Sequence, residues 1–154
     1  MAQIQTARSA KNYQVEWTTN GSTYTDISGY STSVADSGGD RKTGEAFTYG
    51  DDYPVIGAGK RASRTVDVEV LYNEDSTAFL SLYTLQQSGG QFGLRLTPRG
   101  LETGAGTVGR YVTQTTYGLL TKLDLPTGNP DDGKPMICKL TVQTPTVTTT
   151  TTSV

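Results

Sequence analysis

The sequence predicts a mainly β fold, a β-sandwich or small barrel with one helix, at about 74–88, packed alongside. Three observations carry this. Apolar and polar residues alternate with period two in several short runs, turn-forming Gly, Asn and Pro residues separate those runs, and a single stretch switches to helical spacing. Hydrophobic residues make up 34% of 154 residues, with 18 Gly, which suits one folded domain large enough to bury a core.

Taken in order, residues 1–12 are polar and without clear period and read as an N-terminal arm. The domain spans 13–142. Tyr13, Val15 and Trp17 share one face of its first strand. Asn20-Gly21 then signals a hairpin, because both residue types tolerate positive φ, and Thr23–Ile27 reads as the return strand. The segment from Ser28 to Gly44 is rich in Ser and Gly and reads as a long loop, either working or disordered. A short strand around Glu45–Tyr49 and a turn-rich patch from Gly50 to Gly59 follow.

The clearest strand covers Thr65–Tyr72. Val66, Val68, Val70 and Tyr72 point one way, and Thr65, Asp67, Glu69 and Leu71 the other. Asn73 is placed to cap the helix, Glu74 and Asp75 suit its positive end, and Gly89-Gly90 ends it. Ala78, Phe79, Leu82, Tyr83 and Leu85 form its apolar stripe. Strand runs around Phe92–Leu96, Thr107–Tyr117, Leu119–Leu125 and Pro135–Val142 complete the domain. Residues 143–154, with five consecutive threonines from Thr148, read as a flexible Thr-rich tail.

Composition excludes much chemistry. The chain has no histidine, which removes the commonest general base and metal ligand and any Ser-His or Cys-His nucleophile pair. The single cysteine, Cys138, sits in a strand-like apolar run and reads as a buried, inert thiol. Gly57-Ala58-Gly59-Lys60 lacks the leading glycine and trailing hydroxyl of a phosphate-binding loop. Gly104–Gly109 has the lettering of a dinucleotide fingerprint, but Arg110–Thr113 continues as strand where such a loop must open a helix. The pairs Asp51-Asp52, Glu74-Asp75 and Asp131-Asp132 lack the alternating oxygens of a calcium loop. No catalytic, cofactor or metal site is expected, and the chain reads as no enzyme.

Thirteen Lys and Arg against 15 Asp and Glu, net charge -2, disfavour tight nucleic-acid binding, which draws its affinity from neutralised phosphates. No run of apolar residues is long enough to span a membrane, and the N-terminus lacks a signal-peptide pattern. Nine tyrosines against three Phe and one Trp suit half-buried surfaces and interfaces, and equally suit strands. The basic stretch at Lys60, Arg61 and Arg64 reads either as a solvated strand start or as a surface for acids of a neighbouring subunit.

With the elements in this order, the chain resembles the major tail tube proteins of long-tailed phages over about residues 13–142. The resemblance lies in Val15-Glu16-Trp17, Asn20-Gly21 and Tyr24–Gly29. It continues in Gly44–Tyr49, Gly59-Lys60-Arg61 before Val66–Tyr72, the helix with Phe79 and Leu82, and Leu94–Gly100. It implies a tube fold shared with type VI secretion tube proteins and six copies per ring. The rings stack into a hollow tail tube in the virion, assembled in the host cytoplasm. Phage DNA passes through without specific binding. Tape-measure, terminator and baseplate or distal tail proteins are the implied partners. On this reading Asp67 or Glu69 faces the lumen, the loop holding Gly38, Gly39, Asp40 and Arg41 bridges rings, and Lys60, Arg61 and Arg64 meet another subunit. Two alternatives are a monomeric β-sandwich binding module, for carbohydrate for example, and another ring-forming tail component such as a terminator.

Overall fold

The computed structural model describes residues 10–73, 77–98, 100, 110–116 and 118–152. After a 3-10 turn at Ala10–Asn12, the strands are β1 (Gln14–Thr18), β2 (Thr25–Asp26), β3 (Ser31–Gly38), β4 (Arg41–Ala46), β5 (Val55–Arg61) and β6 (Arg64–Leu71). Helix α1 (Thr77–Ser88) follows, then β7 (Gly93–Thr97), β8 (Arg110–Thr116), β9 (Leu119–Leu123), β10 (Ile137–Thr144) and β11 (Thr146–Thr152). Among the described residues these make a five-stranded sheet in the order β11-β8-β7-β1-β2, a four-stranded sheet β3-β6-β10-β9, and a separate ribbon β4-β5. The sheets are open, so the fold is a sandwich and not a closed barrel.

Period two builds the core. Val66, Val68 and Val70 of β6 are buried with Cys138, Leu140 and Val142 of β10, and β6 and β10 pair antiparallel along their lengths. They form one cluster with Val15 and Trp17 of β1 and Leu94 and Leu96 of β7, which pair Trp17 to Leu94 and Val15 to Leu96. Trp17 stacks on Phe92 with centroids 5.7 Å apart. Helix α1 inserts Phe79 and Leu82 into the same cluster, and Phe79 meets Tyr72 and Tyr83 edge-on. Of the expected helix start, 74–76 lie outside the described residues, as does Gly104–Gly109.

Four expectations are corrected. The Ser/Gly-rich segment 28–44 is not a loop: it forms β3, paired to β6, and most of β4. Most of its side chains face water, so no apolar alternation marks it. Within the turn-rich patch 50–59, strand β5 begins at Val55. Much of the Thr-rich stretch is strand: Gln143 and Thr144 end β10, and Thr146–Thr152 pairs with β8 residue by residue, from Thr146 with Thr116 to Thr152 with Arg110. Branching at Cβ favours the extended backbone once a partner strand is in reach. After Asn20-Gly21 the return strand is short, with Thr25 and Asp26 opposite Trp17 and Glu16 and the Ile27 amide donating to Val15 O at 2.9 Å. Asn20 Oδ1 accepts hydrogen bonds from the amides of Ser22 and Thr23, which widens the turn beyond a two-residue hairpin.

Candidate functional site

The site is a projecting arm. Gly38 of β3 pairs with Arg64 of β6, and three residues further along each strand Arg41 of β4 pairs with Arg61 of β5. The register therefore carries through, and β3-β4 with β5-β6 are one long hairpin bent in the middle. The bend lies at Gly38 and Gly39, with φ of 78° and 75°. Non-glycine residues rarely adopt that region. Two backbone hydrogen bonds close the bend, Gly39 N to Ser63 O at 3.1 Å and Ala62 N to Asp40 O at 2.8 Å. Arg64 Nε lies 3.1 Å from Asp36 Oδ2 across the ribbon.

Below the bend β6 is core. Above it every residue of β4 and β5 is exposed. At its outer end Phe47 (70% exposed), Tyr53 (78%), Val55 (61%) and Ile56 (64%), with fully exposed Tyr49, stand in water. Isolated exposed apolar residues are common, whereas large apolar side chains gathered on a projecting ribbon are not. At the root lie Arg41, Lys42, Lys60 and Arg61, and among the described residues none has a carboxylate within ion-pair distance. Arg41 Nη1 instead donates to Gly59 O at 2.9 Å.

The arm thus brings together Gly38, Gly39, Asp40, Arg41, Lys60, Arg61 and Arg64, two groups the sequence reading kept apart. The aromatic and aliphatic tip was missed there. Its one sequence signal, the surplus of tyrosine, does not say which tyrosines are exposed.

Asp67 and Glu69 lie elsewhere, half-buried on the face of β6 opposite Val66, Val68 and Val70. Lys139, in register opposite Glu69, sits 3.6 Å from Asp67 Oδ2, and Glu69 Oε2 accepts a hydrogen bond from the Ser33 hydroxyl at 3.1 Å. Lys122 pairs with Asp124 nearby at 2.9 Å. This face therefore mixes three carboxylates with two lysines, and the lysines lie on β9 and β10, outside the β6 pattern. On the other sheet, Arg95 Nε donates to Glu16 Oε2 at 2.6 Å, and its guanidinium lies 3.8 Å from the centre of the Tyr24 ring. The Glu16 hydrogen bond raises the pKa of Arg95.

Cys138 is buried, with its sulfur 3.9 Å from the Tyr83 hydroxyl, and burial pushes its pKa up, the opposite of an activated thiol. Among the described residues no three carboxylates or cysteines converge to hold a metal.

No protein-family model matches the sequence, and no curated protein matches it. Solved structures do match in fold over nearly the whole chain. The anti-feeding prophage cap, a tube-terminating cap, aligns with TM-score 0.67 at 14% identity, covering 99% of this chain and 96% of that one. The SPP1 tail tube aligns with TM-score 0.69 at 8% identity, covering 96% and 81%. The tail of an empty gene transfer agent particle, refined with C6 symmetry, aligns with TM-score 0.65 at 11% identity, covering 96% and 100%. At such identities the likeness is one of fold, and it establishes the phage tail tube fold for this chain.

Proposed function

We propose that this chain, which has the tail tube fold, is a structural virion protein that self-assembles into stacked hexameric rings forming a hollow tail tube. The observation that carries the reading is the arm: a fully exposed ribbon with an apolar tip and a basic root is costly in a monomer and useful between rings. The fold likeness to tube and cap proteins over nearly all of the chain supports it. In this reading the bend at Gly38 and Gly39 aims the arm across the ring boundary, and Lys60, Arg61 and Arg64 face a neighbouring subunit. The open face of the four-stranded sheet, with Asp67 and Glu69, lines the lumen. Phage DNA transits that lumen, where the mixed charges give it no continuous basic track to bind. Tape-measure, terminator and baseplate or distal tail proteins are the expected partners.

A tube-terminating cap is the second reading, favoured by the fold match to such a cap. A carbohydrate-binding platform has no comparable support, since Phe47, Tyr49 and Tyr53 stand on the arm and not on a sheet face. Electron microscopy of the purified protein across a concentration series separates these. Long hollow tubes establish a tube subunit, single rings that never stack point to a cap, and a protein that stays monomeric at every concentration overturns the tube reading.

A further inference from the structure

The arm needs a surface to land on. We infer that this surface is the opposite pole of a second copy, where the loop 124–136 receives the basic root of the arm through Asp131 and Asp132. The inference rests on the tube reading and names the receiving surface within it.

The register fixes the poles. β6 runs from Arg64, at the arm, to Leu71, which pairs with Ile137 at the start of β10. The loop before Ile137 therefore lies at the end of the sheet away from the arm, about 25 Å from its root along eight strand residues. The carboxylates of Asp131 and Asp132 are exposed there; Asp132 accepts the Lys134 amide, and Asn129 shapes the turn by accepting the Asp131 amide. Leu125 (76% exposed) and Met136 (47%) flank them. Asp124 is already engaged by Lys122.

The two poles are complementary. One offers apolar side chains and four cations without carboxylate partners among the described residues; the other offers apolar side chains and two exposed carboxylates without a cation partner among the described residues. Arg41 directly opposite Arg61 is a like-charge pair that is unfavourable by itself and relieved by an anion laid across it. The acids Glu45, Asp51 and Asp52 lie toward the tip, and only Asp40 tempers the root. Lys134 is the one cation inside the receiving loop. A patch on one pole that fits a different patch on the other makes a head-to-tail contact, which extends into an open stack and does not close as a dimer.

The experiment compares tube formation by the wild-type chain, the D131K/D132K variant, the R41E/R61E variant, and a chain carrying all four changes. All four positions are exposed, so melting curves of the unassembled proteins should differ little, the variants losing the exposed Arg41–Gly59 and Asp132–Lys134 hydrogen bonds. Each two-residue reversal should raise the protein concentration needed for tubes about tenfold or more, and the four-change chain should recover toward wild type. Tubes from D131K/D132K at wild-type concentration, or no recovery in the four-change chain, overturn this inference while leaving the tube reading intact. Wild-type protein that forms neither rings nor tubes overturns both.

Discussion

Gly38 faces Ser63 so closely that a β-carbon placed on Gly38 would lie 2.5 Å from the Ser63 carbonyl oxygen, itself held by the Gly39 amide. Contact and left-handed φ together make this position specific to glycine. Gly38→Ala should destabilise the subunit by about 1–3 kcal/mol and turn the arm from its course. Denaturant unfolding measures the first effect and tube formation the second. An alanine variant of wild-type stability that still assembles would show that the bend is adaptable.

The arm tip makes the opposite prediction. Val55 and Ile56 are mostly exposed, so V55S/I56S should leave the unfolding free energy of the unassembled subunit within about 0.5 kcal/mol of wild type. Assembly should fall sharply, because the lost apolar area is buried only between copies. Sedimentation velocity reports both species in one measurement.

The core behaves conventionally. Leu140 is wholly buried between β6 and β9, paired to Val68 and Leu123. Leu140→Ala should cost about 2–5 kcal/mol in urea unfolding, from lost transfer energy and the cavity left behind. A loss below about 1 kcal/mol would mean that the sheets close over the gap.

Stability should fall at alkaline pH. Burial, aided by the Cys138 contact, pushes the Tyr83 pKa up to about 12. A raised folded-state value means that the stabilisation is complete below the ordinary tyrosine pKa of about 10 and is lost as pH climbs from there toward 12. Burial and the charge of Asp36 shift Tyr13 in the same direction. Tyr83→Phe should flatten the decline between pH 10 and 12 without abolishing it, as read from thermal melts across that range. An unchanged slope would assign the titration to other groups.

The local sequence determined those parts of the fold in which one face of an element meets the core. Val66, Val68 and Val70 alternate with Thr65, Asp67 and Glu69, and Phe79 and Leu82 keep helical spacing, because burial selects residues at the period of the element that carries them. Composition alone also removed histidine-based chemistry from consideration. The tertiary structure decided the rest. β3, β4, β5 and β11 are largely water-exposed, so burial imprinted no period on them, and they are strands because a neighbour in register satisfies their backbone groups. Ser31–Gly38 and Thr146–Thr152 read as loop and tail for that reason. Where Phe47 and Asp131 stand relative to each other was beyond any local pattern, since it follows from the pairing of β6 with β10 and from a bend at two glycines.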